Sequence, residues 1–189
     1  MGLTDSSAPD DELYQRYLEG DSTSGDALML RYADTLTAYL NSLLDNAHDA
    51  EDLMLESFAV ILIDRPRIRE GGFRAYLFKV ARNKAARLWK KKIRQNEFSL
   101  SEDLIATEDQ PEEQAVSGDM QQVLRRCLND IAPQYREALW LVYGMELSYD
   151  QAAAVMKCGK KRIDNLLANG KKALRVELEK QGISHADIG

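Results

Sequence analysis

The chain has 189 residues, a formal net charge of −6, and 44% apolar and 30% charged residues. This length accommodates one medium domain or two small ones, and the composition is that of a protein with a hydrophobic core. No segment approaches the roughly 20 uncharged apolar residues that a membrane-spanning helix needs, so no membrane insertion is expected. Residues 1–12 are acidic and lack the basic-then-apolar order of a secretory signal, which favours a cytoplasmic protein.

Four helices are predicted in the first half of the chain, because apolar residues recur there at helical spacing. They span about residues 10–20, 26–44, 49–64 and 73–94. Asp49 is expected to cap the third helix, with Asp52 three residues on in the capping-box position. Residues 65–72 contain a proline and paired glycines and are predicted to be a loop. Four such helices can close a small core.

Periodicity is lost over residues 96–119, which are acidic and predict a flexible linker. It would separate a domain of residues 1–95 from one of residues 120–189. In the second domain two helices, about 120–132 and 133–144, precede a capping box at residues 148–151, a tight turn and a basic helix over about 160–180. Short helix, turn and longer helix are typical of a helix-turn-helix. The predicted fold class is all-α, with two small helical domains.

Charge is sorted along the chain. Residues 65–94 hold twelve basic and one acidic side chain, and residues 157–180 hold eight basic and three acidic ones. Residues 1–64 hold fourteen acidic and two basic side chains, and residues 95–119 hold eight acidic and no basic ones. Two basic blocks in an acidic chain favour two polyanion-binding surfaces. On composition alone, solvated helix faces remain an alternative.

Metal or cofactor chemistry finds little support in the sequence. Cys127 and Cys158 have no second Cys or His at metal-ligand spacing, so a zinc site would have to be assembled entirely by the fold. We expect reduced thiols packed as small apolar side chains. No nucleophile–base pair or phosphate-binding glycine loop is visible, since paired glycines alone mark a turn. No cofactor, no metal and no enzymatic activity are predicted.

Four segments carry a resemblance to one family. The segment Asp49-Ala50-Glu51-Asp52-Leu53, with Glu56 and Phe58 after it, resembles region 2.2 of sigma-70-type initiation factors. Residues 73–83 are similar to region 2.3 of the extracytoplasmic-function (ECF) group, residues 128–141 to region 4.1, and residues 147–175 to region 4.2. The resemblance covers about residues 10–95 and 120–180, with a linker where this group lacks region 3.

The resemblance implies a promoter-recognition subunit of bacterial RNA polymerase. Its region 2.2 helix would bind the core enzyme, and acidic side chains suit a basic partner surface. The family usually has Gln where this chain has Leu55, so one hydrogen bond would be absent. The alternative is that these acids only cap and solvate a helix. The implied core-binding residues are Asp49, Glu51, Asp52, Leu53, Leu55 and Glu56.

The same resemblance assigns the loop at residues 65–72 and the helix after it to the −10 element. Strand opening exposes bases on which aromatic rings can stack, and basic side chains would follow the phosphates. Phe73 is expected to be core or functional, and the family commonly has Trp where Tyr76 stands. The implied residues are Arg65, Arg67, Arg69, Arg74, Tyr76, Phe78, Lys79, Arg82, Asn83, Arg87, Lys90 and Lys91.

The last helix would enter the major groove at the −35 element, where Arg favours guanine and Asn favours adenine. The helix departs from the family pattern at several positions, and Gly170 is expected to weaken it by roughly 1 kcal/mol relative to Ala. Asp164 would accept a bond from cytosine, orient a neighbouring Arg or merely favour the helix N-terminus. The implied residues are Lys160, Lys161, Arg162, Asp164, Asn165, Asn169, Lys171 and Lys172.

The implied partners are core RNA polymerase, promoter DNA and an anti-sigma factor. A second hypothesis is a helix-turn-helix regulator that binds DNA without directing polymerase. An enzyme is the third and least supported class. Binding to core enzyme followed by initiation at defined sites would distinguish the first hypothesis from the second.

Overall fold

The structure is a computed structural model that describes the backbone of residues 7–99 and 119–183 and the side chains of residues 7–95 and 123–183. The described residues form helices, turns and loops without strands, which confirms the all-α prediction. The chain divides into two compact units, residues 1–111 and 112–189. Residues 100–118, most of the predicted linker, lie outside the described residues, so the domain boundaries at 95 and 120 stay predictions.

The first unit contains four helices. They are α1 (Asp10–Leu18), α2 (Ser22–Leu44), α3 (Ala47–Asp64) and α4 (Phe73–Ser99). The long α2 packs against all three others, so its buried face is the centre of the unit. The apolar positions that the sequence places on one side of each helix form the interior. The largest of them are Leu13, Leu28, Leu36, Tyr39, Leu40, Phe58, Ile61, Phe73 and Leu77. Phe78, which the sequence did not place on that side, is also fully buried.

Two helices of this unit begin earlier than predicted. The Asp21 carboxylate accepts a hydrogen bond from the Thr23 amide at 3.1 Å, so α2 starts at Ser22. The cap of α3 is Asn46, whose side-chain oxygen accepts from the Asp49 amide at 2.9 Å. The prediction that Asp49 caps α3 is therefore wrong, because Asn46 satisfies the exposed N–H groups one turn earlier.

The second unit is built around the contact between α6 and α8. Its elements are α5 (Asp119–Asp130), α6 (Pro133–Leu139), a π-helical turn (Trp140–Gly144), α7 (Tyr149–Met156) and α8 (Lys160–Lys180). Pro133 stands in the first turn of α6, as predicted. A methyl group at Gly170 would lie 3.2 Å from the Tyr135 Cβ atom and from a Leu139 methyl. The glycine that weakens α8 is thus the residue that lets α6 approach it closely.

The helix-turn-helix is formed by α7 and α8. Ser148 Oγ accepts from the Gln151 amide at 3.2 Å, and Gln151 Oε1 accepts from the Ser148 amide at 2.9 Å, which confirms the predicted capping box. Lys157 ends α7 with a φ of 53°, and α8 begins directly after Gly159. This short turn fixes α8 against α7.

Candidate protein and nucleic-acid interfaces

An acidic face runs along the exposed side of α3. Glu51, Asp52, Leu55 and Glu56 are all exposed, and Leu55 is 52% exposed. Residues three and four apart share one side of a helix, so these four form a continuous surface, called here the α3 face. Leu53 is only 7% exposed and packs in the interior. Its prediction as a partner contact is corrected, because helical periodicity turns it away from Leu55.

Two acids of the predicted set are paired with lysines of α4. The Lys84 ammonium donates to a Glu56 carboxylate oxygen at 2.8 Å, and Lys92 donates to Asp49. Pairs this exposed contribute little to stability, yet they connect the α3 face to the basic helix beside it. Part of the negative charge near the α3 face is therefore neutralised within the protein, and Glu51 and Asp52 remain on its outer side.

The loop Arg65–Gly72 has a defined conformation. Arg65 begins it with a φ of 46°, and Gly71 has a φ of 68°. The Gly72 amide donates to the Arg69 carbonyl at 2.9 Å, which closes a turn. A methyl group at Gly72 would lie 2.7 Å from that carbonyl oxygen, so the turn requires glycine. Arg65, Arg67 and Arg69 are exposed.

Only one of the three aromatic rings considered on α4 has an accessible surface. Phe73 is 1% exposed, and its ring centre lies 5.4 Å from that of Tyr14. Phe78 is fully buried, with its ring centre 5.1 Å from that of Tyr39. The prediction that Phe78 stacks on bases is therefore wrong, because its ring fills the interior. Tyr76 is half-buried and keeps an accessible surface.

Arg74 has a role that the sequence did not indicate. Its Nε donates to the Tyr32 hydroxyl at 3.0 Å, and its guanidinium lies 5.8 Å from the centre of that ring. The Tyr32 hydroxyl in turn donates to Asp10, and burial followed by this hydrogen bond raises the pKa of Tyr32 to about 12. Arg74 is half-buried. The predicted phosphate contact thus connects α4 to α2 and, through Asp10, to α1.

The other predicted residues of α4 lie toward solvent. Lys79, Arg87, Lys90 and Lys91 are exposed, while Arg82 and Asn83 are half-buried. Trp89, which the sequence motifs did not single out, is 59% exposed on the same helix. An aromatic side chain within a basic run is the signal that would have identified it, since rings and cations together suit nucleic acid.

The −35 candidates form a more open surface on α8. All eight predicted residues are exposed. Lys161, Asn165 and Lys172 recur at spacings of four and seven residues and so lie along one outward line opposite the buried Ile163 and Leu167. The remaining candidates flank this line or lie nearer the other helices. We call the exposed side chains of α8 the α8 face.

Local partners hold three side chains at the edges of the α8 face. Lys160 donates to Asp150 at 3.0 Å, and an Arg162 Nη lies 3.5 Å from the Gln134 side-chain oxygen. The Lys171 ammonium lies 4.7 Å from the centre of the Tyr143 ring. A hydrogen bond with Tyr143 raises the pKa of Lys171. The exposed Tyr143 is a further side chain at this edge that the sequence motifs did not single out.

The described residues offer neither a metal cluster nor a membrane span. Within residues 7–99 and 119–183 no group of three or more His, Cys, Asp or Glu side chains is placed to hold a metal ion. Among the described helices, none has both the length and the apolar character to cross a bilayer. Cys127 is buried, and desolvation raises the pKa of its thiol, as for a packed apolar side chain.

Two family models match the two units separately. Residues 28–95 match the model of Sigma-70 region 2, and residues 121–174 match that of Sigma-70, region 4. The first match contains the α3 face, the loop and α4 as far as residue 95, and the second contains the helix-turn-helix. The chain belongs to the sigma-70 family, in its extracytoplasmic-function group.

Two curated relatives agree with this assignment. The chain is 27% identical over 152 residues to the ECF RNA polymerase sigma factor SigM of Bacillus subtilis (strain 168), covering 79% of this chain and 92% of that protein. It is 26% identical over 160 residues to the ECF sigma factor SigE of Mycolicibacterium smegmatis, covering 83% of this chain and 62% of that one.

Two solved structures share the fold. One is the sigma factor RpoE of Bartonella quintana in complex with the anti-sigma factor NepR, at 24% identity and a TM-score of 0.65, covering 82% of this chain and 96% of that one. The other is CnrH in complex with the cytosolic domain of CnrY, at 18% identity and a TM-score of 0.63, covering 90% and 97%.

As a sigma factor, the chain is a subunit that directs promoter-specific transcription initiation by RNA polymerase. Sigma factors are in general not enzymes. The second hypothesis, a regulator that binds DNA without directing polymerase, is not favoured. Such a regulator needs the helix-turn-helix but not a region 2 unit, and here region 2 matches over residues 28–95.

Proposed function

We propose that the α3 face binds core RNA polymerase while the two units engage the two promoter elements. The observation that carries this proposal is the pairing of each sigma-70 region with a helical unit that exposes basic side chains. Because the active site for nucleotide addition belongs to the core enzyme, the chain contributes recognition and strand opening and no catalysis of its own. We place this action in the cytoplasm.

The α3 face suits a partner surface that is basic at its edges and apolar at its centre. Glu51, Asp52 and Glu56 provide charge that speeds encounter with a cationic surface. Leu55 is 52% exposed and offers apolar area where the family usually has an amide. Apolar contact at the centre of an interface contributes to affinity, whereas rim charges mainly affect the association rate.

The loop Arg65–Gly72 and α4 are proposed to bind and open the −10 element. Tyr76 stands four residues after Gly72, and its amide donates to the Gly72 carbonyl at 2.9 Å, so its backbone adjoins the end of the loop. A base stacked on such a ring is stabilised by roughly 1–3 kcal/mol, which favours the open state over the duplex. Phosphates of the separated strand would follow the exposed cations of the loop and α4: Arg65, Arg67, Arg69, Lys79, Arg87, Lys90 and Lys91.

The α8 face is proposed to read the −35 element in duplex form. A helix fits the major groove, and side chains of its first turns reach the base edges. Lys161, Arg162 and Asn165 hold those positions, with Asn169 one turn further. Lys171 and Lys172 lie beyond them, where a helix leaving the groove meets phosphates. Asp164 is exposed beside Asn165 and would accept from the amino group of cytosine.

An anti-sigma factor is proposed as a regulatory partner. Leu30, Leu55, Ile63 and Trp89 are large apolar side chains exposed on the first unit, at 82, 52, 77 and 59%. Of these, Leu55 lies on the α3 face, where burial against a protein partner would contribute affinity. A partner that covers Leu55 would compete with core polymerase. The test is purification of the tagged chain from its native cells, followed by displacement of any bound protein with added core enzyme.

In vitro transcription tests the main proposal. The purified chain is mixed with bacterial core RNA polymerase and a genomic DNA library, and the start sites of the transcripts are mapped. We expect co-elution with core enzyme and starts at defined positions that share two sequence elements upstream. DNA binding without core association would instead support the regulator hypothesis, and core association without defined starts would contradict promoter recognition.

A further inference from the structure

The short helix α1 bonds to three backbone groups, two in the loop Arg65–Gly72 and one in the last turn of α3 just before it. The Tyr17 hydroxyl donates to the Leu62 carbonyl at 2.7 Å, just before the loop. The Tyr14 hydroxyl donates to the Pro66 carbonyl, also at 2.7 Å, and the Asp11 carboxylate accepts from the Gly71 amide. Side chains three residues apart on one helix thus hold the last turn of α3, the second residue of the loop and its next-to-last residue.

These bonds reach backbone groups that the flanking helices leave without helical partners. The Leu62 carbonyl belongs to the last turn of α3, where carbonyls have no amide ahead of them in the helix. Pro66 and Gly71 lie in the loop itself. The bonds to Leu62 and Pro66 are part-buried, and a backbone group withdrawn from water needs a hydrogen-bond partner, so the tyrosine hydroxyls restrict where this backbone can go. The bond to Gly71 lies at the surface.

The two tyrosine rings are themselves held in place. A methyl group at Gly25 on α2 would lie 2.7 Å from the Tyr17 Cδ2 atom, so the ring is seated directly on that helix. The Arg65 guanidinium lies 5.2 Å from the centre of the same ring. Tyr14 is 5% exposed and packs beside Phe73, the first residue of α4. The Tyr14 hydroxyl cannot move away from Pro66 without disturbing the interior, and the Tyr17 ring is held against α2 and the Arg65 side chain.

The Tyr14 hydroxyl remains a donor over the working pH range of a bacterial cell. Burial, and to a smaller extent the neighbouring Tyr76 and Tyr17, raises the pKa of Tyr14 to about 12. The Tyr14 bond to Pro66 therefore persists at every pH at which transcription is measured. The same neighbourhood shows that Tyr14 stands close to Tyr76, the accessible ring proposed to stack on a base.

We propose that α1 is a positioning element that fixes the loop Arg65–Gly72 for capture of an unpaired base, with Tyr14, Tyr17 and Asp11 as its positioning residues. This inference rests on the proposed −10 role of that loop. A loop ordered before binding loses less conformational entropy when it takes up a base, so affinity for the opened strand is higher. The α1 contacts provide this order in the free protein.

A purely structural role for α1 predicts a different outcome. If its hydroxyls only stabilise the first unit, their removal lowers every activity of that unit together, including core binding. If they position the loop, their removal weakens binding to the opened strand and leaves core binding and −35 binding unchanged. The two roles are therefore distinguished by measuring, in one variant, its binding to the opened strand, to core enzyme and to the −35 duplex.

The test uses the full chain carrying Y14F and Y17F, which removes two hydroxyls and keeps both rings. The probe is a single-stranded oligonucleotide of the non-template −10 sequence from a promoter that the wild-type holoenzyme uses. We expect its affinity for the variant holoenzyme to fall about tenfold, as does the half-life of the open complex. Affinity for core enzyme and for −35 duplex should stay within about twofold.

Two matched variants serve as controls. E12Q weakens the ion pair between Glu12 and Arg16 on α1 but does not touch the loop, so single-strand affinity should remain at the wild-type level. D11A should weaken single-strand binding, whereas D11N keeps a side-chain oxygen that can accept from the Gly71 amide and should restore it. Hydrogen exchange of the loop amides should accelerate in the double variant and in D11A, but not in E12Q or D11N.

Failure of the inference can be told apart from failure of the proposed function. A wild-type chain that never initiates with core enzyme refutes the proposed function and, with it, the DNA part of this inference. A wild type that initiates normally, with Y14F/Y17F equal to it in single-strand affinity and open-complex half-life, overturns the inference alone. Equal reductions of −10, −35 and core binding would also overturn it, because they indicate a general decrease in stability.

Discussion

The two units use their functional side chains differently. In the first unit, residues predicted to touch DNA also hold the protein together: Phe78 fills the interior, Arg74 bonds to Tyr32, and Arg65 lies over Tyr17. In the second unit, all eight predicted DNA-binding residues are exposed on one helix. The first site is therefore coupled to the packing of its unit, whereas the second is a surface on a rigid support.

This difference matches two physical tasks. Reading a duplex requires a straight helix with side chains directed outward, and α8 supplies this once α6 and α7 hold it. Capturing a base from a separated strand requires a shaped loop beside a ring. Shape depends on contacts from distant parts of the chain, such as Tyr14 to Pro66 across 52 residues. Substitutions in the first unit should thus affect stability and function together more often than those on α8.

The largest effect is expected from a substitution of Phe78. This substitution tests whether the Phe78 ring packs in the interior or binds DNA. Replacing it with Ala should destabilise the first unit by about 3–5 kcal/mol, the usual cost of removing a buried aromatic ring. Y76A, two residues away, should cost much less stability but reduce open-complex formation. Urea unfolding and permanganate footprinting measure the two effects. A fully stable F78A protein that fails to open DNA would restore the original stacking role.

Charge reversal on the α3 face should have the next largest effect. The variant E51K/D52K is expected to weaken core binding by at least about 100-fold, or about 3 kcal/mol, because it replaces two attractive contacts with repulsive ones. The matched control is D26K/D64K, which makes the same change in charge at exposed acids elsewhere on α2 and α3. Affinity for labelled core enzyme is the measurement. Equal decreases in both variants would point to net charge and contradict the α3 face.

A single substitution on α8 should have a smaller and more selective effect. N165A is expected to cost about 1–3 kcal/mol for one base pair of the −35 element, the value of a paired hydrogen bond to a base edge. The protein and the variant are each offered a randomised duplex pool, and the enriched sequences are compared. K180A, at the far end of α8, is the control. Unchanged preference at every position in N165A would remove this residue from base recognition.

The smallest effect is expected on phosphate binding by α4. The prediction compares lysines that are exposed to solvent with a lysine that is paired to an acid of the same protein. K90A and K91A should each lower the slope of log affinity against log salt concentration by about 0.7–0.9, the value for one phosphate that is no longer neutralised. K84A should leave the slope unchanged, because the Lys84 ammonium is bonded to Glu56 at 2.8 Å. Binding to promoter DNA is measured across a salt series. Equal slopes in all three variants would contradict phosphate binding at residues 90 and 91.

Much of the architecture follows from local patterns in the chain. Each of these features depends on a few neighbouring residues, so its signal is present in the sequence itself. They are the helices, the start of α6 at Pro133, the capping box at Ser148 and Gln151, and the exposure of the polar side chains of α8. The errors at helix starts have the same local origin. Asn46 and Asp49 are both good capping residues, and only the observed hydrogen bond selects between them.

The sequence by itself determined two helical units, their order and the types of residue offered to polymerase and to DNA, because periodicity, charge and motif spacing are local properties. Tertiary structure alone decided which of those residues face outward and which are enclosed, as for Tyr76 and Phe78 on one helix. It also brought Asp11 and Tyr14 against a loop, and Tyr17 against the end of α3 before that loop, across 45 to 60 residues of sequence. Long-range contacts of this kind leave no periodic signal, since each depends on how whole helices pack.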